Sequence, residues 1–175
     1  MVLTGVLLLT ATLSQAKTLT AEEIEYKADF IVKIVDYVTW PAGAGVNAQG
    51  EIAIGVLGDS PLTPKLKELA TARTKAGVKM SVSTVTIDSD LAAYQIIFLT
   101  TEDKTELAAV LKKIQKAPVL TVSDAYYFAR YGVMVNFYSE EVDGKPKVKF
   151  EVNQMTLGLV GLKMSSQLLK LATLI

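Results

Sequence analysis

The chain has 175 residues, half of them hydrophobic, and its 18 lysine and arginine residues balance its 18 aspartate and glutamate residues. Proteins that bind nucleic acid through phosphate groups usually carry a basic excess, so the neutral balance argues against that class. The sequence contains no histidine and no cysteine, which excludes Ser-His-Asp and Cys-His catalysis, disulfides and thiolate metal sites. An enzyme would be confined to Ser-Lys or carboxylate chemistry.

The first sixteen residues carry no charge and are mostly apolar. This run is shorter than the roughly 20 residues that a membrane-spanning helix requires, and small residues stand at Ser14 and Ala16, as signal peptidase prefers. We therefore predict a secretory signal peptide at residues 1–16 and one domain at residues 17–175. The alternative is a buried first strand or helix. The basic residues that open most leaders are absent, which leaves open whether Met1 is the true start.

The segment after the leader begins with Thr20 and Glu23, which have the spacing of a capping box. Apolar residues follow at the spacing of one helix face, and Pro41 disfavours helical geometry at Trp40. The pattern predicts a helix that ends at Trp40. We expect this tryptophan to cover an edge of the core, with a partner contact as the alternative.

Strands and helices alternate through the middle of the chain. The composition and periodicity predict strands at residues 51–58, 78–87, 94–100 and 118–123, with helices beginning near Pro64 and at residues 105–115. This alternation implies right-handed crossovers and a parallel sheet core. No later segment approaches membrane-spanning length, so we expect the mature chain not to span a membrane.

The end of the chain has a different pattern. Two strand patterns flank Asp143 and Gly144, a pair that favours a tight hairpin turn. One helix is expected after Asn153 and another after Ser165, although the two could be continuous. Together these elements predict a single three-layer α/β domain with a mixed, largely parallel sheet, an antiparallel hairpin near the C-terminus and helices on both faces.

Two loops that follow predicted strands are candidate ligand sites, because α/β folds place ligands at strand ends. Gly55 and Gly58, followed by Asp59, resemble a phosphate-binding turn, but no complete glycine motif is present and a structural turn is the stronger interpretation. The second loop begins at Ser123 and Asp124.

The second loop is rich in aromatic residues and is the candidate partner-binding site. Tyrosine and arginine are favoured anchors of protein interfaces. An equally weighted alternative is a structural loop in which Phe128 enters the core and Ser123 and Asp124 cap a turn. The predicted partner-binding residues are Tyr126, Tyr127, Phe128, Arg130 and Tyr131.

Six segments in register resemble the YfiR/HmsC-like family of periplasmic regulators, and they span nearly the whole predicted mature chain. They are YKADFIVKIVDYVTWP (Tyr26 to Pro41), IGVLGDSP (Ile54 to Pro61), IIFLT (Ile96 to Thr100), PVLTVSD (Pro118 to Asp124), VKFEVN ending at Asn153, and GLKMSSQLLKLA (Gly161 to Ala172). The family-typical positions among them and in the adjoining loop are Trp40, Pro41, Gly58, Ser123, Asp124, Phe128, Gly132, Ser165 and Ser166.

The resemblance implies a YfiR-like domain in the periplasm that represses an inner-membrane diguanylate cyclase, or a related membrane signalling protein, by binding its periplasmic sensory domain. It also implies a homodimer and an outer-membrane lipoprotein that sequesters the regulator. It carries over no catalytic residue, cofactor or metal. Some members have disulfides, and the absence of cysteine excludes redox control here.

Two other functions remain as alternatives. One is a periplasmic small-molecule binding module, with its ligand held at the strand ends near Asp59 and Asp124. The other is a Ser-Lys hydrolase, which lacks a convincing nucleophile motif. The leading hypothesis is a non-enzymatic regulator that acts by protein–protein contact.

Overall fold

The computed structural model describes residues 19–175, so the predicted signal peptide lies outside the described residues. The helices are α1 (Ala21–Lys33), α2 (Thr63–Lys75), α3 (Lys104–Ile114), α4 (Gln154–Leu159) and α5 (Ser166–Leu169). The strands are β1 (Val38–Thr39), β2 (Ile52–Leu57), β3 (Met80–Val85), β4 (Ile96–Leu99), β5 (Leu120–Ser123), β6 (Val135–Val142), β7 (Lys145–Val152), β8 (Lys163–Met164) and β9 (Thr173–Leu174).

Seven of these strands form one mixed sheet in the order β3-β2-β4-β5-β6-β7-β9. The first five of that order are parallel to their neighbours. Strand β7 is antiparallel to β6, and β9 pairs in parallel with β7. The predicted mixed, largely parallel sheet with an antiparallel hairpin near the C-terminus is therefore confirmed.

Both faces of the sheet are covered, which gives the predicted three layers. Ile54, Val56 and Phe98 point into a core shared with α1 and α2, which we call the α1-side core. Ile97 and Leu99 point into a second core with α3, which we call the α3-side core. Successive strand residues alternate between faces, so strands buried on both sides read as continuous apolar runs. This is why β4, IIFL, has four buried residues in succession.

Helix α1 begins as predicted but ends earlier. Thr20 and Glu23 form the capping box: the Thr20 amide donates to the Glu23 carboxylate (2.9 Å) and the Glu23 amide to the Thr20 hydroxyl (3.2 Å). The helix ends at Lys33 rather than Trp40, and a 3₁₀ turn at Ile34–Tyr37 leads into β1.

The early end of α1 results from a contact with a distant part of the chain. Val38 pairs with Met164 of β8, and the Ser165 amide donates a hydrogen bond of 2.8 Å to the Tyr37 carbonyl. Helical periodicity continues in the sequence through this segment, so the local pattern could not reveal the strand.

The C-terminal predictions are confirmed and one alternative is resolved. Asp143 and Gly144 adopt φ angles of 52° and 73°, as a type I′ hairpin turn requires. Helices α4 and α5 are separate, because β8 lies between them. Within residues 19–175, no helix has the length and apolar character needed to cross a membrane.

Candidate functional site

The aromatic loop, residues 124–132, leaves the carboxyl end of β5 and leads into β6. Ser123, which is fully buried, shapes its start: its hydroxyl donates to the Leu99 carbonyl (3.2 Å) and accepts from the Ala125 amide (3.1 Å). This is the turn-capping role that one sequence interpretation assigned to Ser123. The serine therefore builds the loop and is not exposed to a ligand.

Two asparagine side chains hold the backbone of the loop. Asn136 donates to the Ala125 carbonyl (3.0 Å) and Asn153 donates to the Ala129 carbonyl (2.9 Å). Tyr127 has a left-handed φ of 62°, which is uncommon for a residue with a side chain and persists when its surroundings enforce it. Gly132 closes the loop at φ 105°. These anchors place the loop's side chains before any partner arrives.

Four side chains of the loop form an exposed surface, which we call the aromatic patch: Tyr126, Tyr127, Arg130 and Tyr131. Tyr126 is 76% exposed, and its ring lies 3.8 Å from that of Tyr127. The Arg130 guanidinium lies 5.1 Å from the centre of the Tyr127 ring, within the range of a cation–π contact. Three of the four exposed groups, Tyr126, Tyr127 and Arg130, therefore already contact one another.

Phe128 does not belong to the patch, and its prediction as a partner-binding residue is corrected by its burial. It is 1% exposed and packs in the α3-side core. The short 3₁₀ turn at Phe128–Tyr131 explains the difference from its neighbours, because it directs Phe128 inward and Arg130 outward. Phe128 therefore follows the structural interpretation of the loop, whereas the four exposed side chains of the patch remain the candidates for partner contact.

A second cation joins the patch from helix α3. The Lys104 ammonium donates a 2.8 Å hydrogen bond to the Tyr131 hydroxyl and lies 4.6 Å from the centre of its ring. Hydrogen bonding with Tyr127 is the largest cause that raises the pKa of Tyr126 above its ordinary value. Tyr126 therefore stays neutral at physiological pH, and Arg130 and Lys104 give the patch positive charge.

Beneath the loop lies a buried ion pair that the sequence reasoning missed. The Lys27 ammonium is 2.6 Å from the Asp124 carboxylate, with side-chain exposures of 2% and 23%. Lys27 comes from α1 and lies 6.0 Å from the centre of the Phe137 ring. The pair ties α1 to the start of the aromatic loop. A signal was present: Lys27 interrupts the apolar face formed by Ile24 and Ile31.

The strand-end ligand site near Asp59 and Asp124 is not a single site. Asp59 lines an open hollow of about 540 Å³ together with Ser60, Lys67 and others, and Asp124 is not among its lining residues. Asp124 instead holds Lys27. Within the described part of the chain, no group of three or more acidic side chains is arranged to hold a metal ion.

Gly55, inside β2, and Gly58, directly after it, have structural roles. A Cβ on Gly55 would lie 2.6 Å from the Ile97 side chain and 3.1 Å from the Tyr94 ring, and one on Gly58 would lie 2.9 Å from the Thr100 hydroxyl. Gly58 also has a φ of 86°. Close packing therefore explains both glycines, in agreement with the stronger of their two interpretations.

The remaining family-typical positions lie near the pairing of β1 with β8 and at the start of α5. Trp40 packs against the α1-side core, and Pro41 lies so close to Gly161 that a Cβ there would be 3.2 Å away. The Ser165 hydroxyl caps α5 by accepting from the Leu168 amide (3.3 Å), and Ser166 is the first residue of that helix. These positions stabilise the joint between β1 and β8.

Comparison with known proteins identifies the family. The profile of the YfiR/HmsC-like family matches residues 24–173, and no protein of curated function matches in sequence. The crystal structure of a conserved domain protein from Vibrio cholerae O1 biovar El Tor is similar in fold, with a TM-score of 0.55 and 13% identity over 86% of this chain. The similarity covers 59% of that protein. The chain belongs to the YfiR/HmsC-like family of periplasmic regulators, which is regulatory rather than catalytic.

Proposed function

We propose that this protein represses an inner-membrane diguanylate cyclase, or a related membrane signalling protein, by binding its periplasmic sensory domain through the aromatic patch. The observation that carries the proposal is a loop that displays Tyr126, Tyr127 and Tyr131 at exposures of 76%, 44% and 50%. Exposed tyrosines with a neighbouring arginine match the composition of protein-interface hot spots.

The rigid backbone of the loop supports this role. Association costs conformational entropy for each side chain or loop that becomes ordered, so a preformed patch binds more tightly than a mobile one. Asn136 and Asn153 already fix the loop backbone. Arg130 and Lys104 add positive charge, which favours a partner surface that presents acidic or aromatic groups.

Repression then follows from differential binding. A regulator shifts a signalling protein toward its inactive conformation only if it binds that conformation more tightly. In this proposal, residues 1–16 export the chain and are removed, and residues 17–175 act in the periplasm as a homodimer. An outer-membrane lipoprotein that sequesters the regulator would relieve repression.

Deletion of the gene tests the regulatory output. We expect cyclic-di-GMP and biofilm to increase in the deletion strain and to return to the starting level when the full chain is restored. Unchanged cyclic-di-GMP in a strain that expresses the candidate cyclase would contradict repression.

A double substitution tests the surface. Tyr127→Ala with Arg130→Ala removes two contacting groups of the patch, so we expect the affinity for the isolated periplasmic domain of the cyclase to fall by at least about tenfold. Binding is measured by calorimetry, and circular dichroism verifies the fold. Tyr37→Ala is the matched control, because Tyr37 is an exposed tyrosine outside the patch. Equal affinities for the double variant and the control would place the interface elsewhere.

A further inference from the structure

Strand β3 forms an outer edge of the sheet, and its hydrogen bonds to β2 use only every second residue. The Ile52 amide donates to the Lys79 carbonyl (2.9 Å) and the Gly58 amide donates to the Val85 carbonyl (3.1 Å). In the parallel register between them, the odd-numbered residues of β3 face β2. The backbone groups of the even-numbered residues Met80, Val82 and Thr84 therefore point away from the sheet.

At both ends of this outer edge, side chains form hydrogen bonds with the backbone groups that point away from the sheet. The Met80 amide donates to the Thr74 hydroxyl (2.9 Å), whose one proton is shared between the Ala70 carbonyl (3.0 Å) and the Met80 carbonyl (3.2 Å). Past the strand, the Thr86 amide donates to the Ser89 hydroxyl (3.1 Å), and the Thr86 carbonyl accepts from the Ser89 amide (3.1 Å). Both ends thus have their amides and carbonyls satisfied.

Between these closed ends the edge is open. Strand β3 pairs only with β2 among residues 19–175, so the amides and carbonyls of Val82 and Thr84 have no strand partner there. Native proteins usually protect such an edge with charged residues, proline or a bulge. The β3 sequence MSVSTV contains no charged residue and no proline. An unprotected edge of this kind is a template for an added strand.

A groove lined by both polar and apolar residues adjoins the same strand. It has a volume of about 730 Å³, and its floor includes Ser81 and Ser83, the residues of β3 that lie on the face opposite the α2 core. The Ser83 hydroxyl is hydrogen-bonded to the Tyr94 hydroxyl (3.0 Å), which fixes the tyrosine across the sheet. Asp90 lies at the rim, and no lysine or arginine lines the groove.

We propose that β3 binds an extended peptide segment of another protein, which adds to the sheet as an eighth strand and places a basic side chain in the groove. Four hydrogen bonds to Val82 and Thr84 would hold the peptide backbone. The peptide residue opposite Ser83 projects on the groove side, because paired residues of adjacent strands point to the same face. The exposed Asp90 carboxylate has no cationic partner in the groove, so charge complementarity favours lysine or arginine in the segment.

This site is distinct from the aromatic patch. The patch lies at the end of β5, and two strands, β2 and β4, separate β5 from β3 in the sheet. A protein with both surfaces could hold two partners, or two segments of one partner, at the same time.

Selection from a phage library of random seven-residue peptides on the full chain tests the proposal. We expect enriched peptides that favour β-branched residues and contain a lysine or arginine. Thr84→Pro removes one outward amide and leaves the β2 ladder intact, so affinity for an enriched peptide should fall by about tenfold. Thr84→Val is the matched control because it keeps the amide, and Tyr127→Ala should also bind normally.

Hydrogen exchange gives a readout that survives a folding defect in Thr84→Pro. The Val82 and Thr84 amides should exchange quickly in the free protein and slowly with the peptide, while the Ser83 amide, which faces β2, stays slow throughout. Asp90→Asn should weaken binding of a lysine-containing peptide. The proposal is overturned if no peptide is enriched, if the Val82 and Thr84 amides keep their free exchange rates with peptide bound, or if β3 proves to pair with a second copy of the chain.

Discussion

The ion pair between Lys27 and Asp124 is the most consequential pair of side chains near the aromatic loop. It joins residues 97 positions apart, and its two members differ in burial. The Lys27 side chain is almost completely buried, whereas the Asp124 side chain is partly exposed to solvent. A charge that stays buried without its partner is costly, so the two members should not be equally sensitive to substitution.

Replacing Asp124 should therefore destabilise the fold more than replacing Lys27. Asp124→Asn leaves a buried ammonium uncompensated and should lower the free energy of unfolding by about 3–5 kcal/mol. Lys27→Met leaves only a carboxylate that water can reach, and should cost less. Urea unfolding measures both. Asp29→Asn is the control, since its exposed pair with Lys33 should contribute only about 0–1 kcal/mol. Equal losses for the two pair members would refute the burial argument.

Among the elements, the β6–β7 hairpin depends most directly on its turn. Eight residue pairs align between the two strands, from Val135 opposite Val152 to Val142 opposite Lys145. The buried end supplies Phe137 and Phe150 to the α1-side core, while the tip is exposed. Register at the tip is set by the turn residues, because few side chains there are packed.

Gly144→Ala should weaken this hairpin. Gly144 has a φ of 73°, and a Cβ in the left-handed region costs about 1–2 kcal/mol. We expect a loss of that size in the free energy of unfolding, with faster hydrogen exchange at the tip. Gly158→Ala in α4 is the control: its φ is not positive and its Cβ would meet open space, so it should be neutral or stabilising by about 0.5–1 kcal/mol. A harmless Gly144→Ala would show that the turn does not determine the pairing.

At the scale of the whole molecule, one sheet separates two hydrophobic cores. Leu66 of α2 packs on one face and Leu107 of α3 on the other, and both are essentially unexposed. The central strands contribute residues to both cores. The shared strands therefore couple the two layers, so we expect the domain to unfold in one cooperative transition.

Truncating either leucine should destabilise that one transition. Leu66→Ala and Leu107→Ala each leave a cavity and should each cost about 2–5 kcal/mol. Fluorescence of Trp40, the only tryptophan, reports the α1-side core, and far-ultraviolet circular dichroism reports the whole fold. The two signals should shift together in both variants. Separate midpoints for the two signals in Leu107→Ala would mean that the layers unfold independently.

Local signals in the sequence determined the start of α1, the hairpin turn, the two terminal helix caps and the order of the buried strands. Each of these depends on residues close together in the chain: a capping box spans four positions, and a type I′ turn needs its own positive φ angles. The alternation of strands and helices predicted the parallel core, and the hairpin pattern around Asp143 and Gly144 predicted the antiparallel strand that makes the sheet mixed. The resemblance to the family added the regulatory hypothesis, and the family assignment is confirmed.

Tertiary contacts decided the rest. The short strands β1, β8 and β9 exist through pairing with distant segments, so no local periodicity marks them. The direction of Phe128, inward while its neighbours face solvent, depends on the core beneath the loop. Lys27 could be recognised as a buried cation only with Asp124 beside it, because burial of a charge is determined by its surroundings in space.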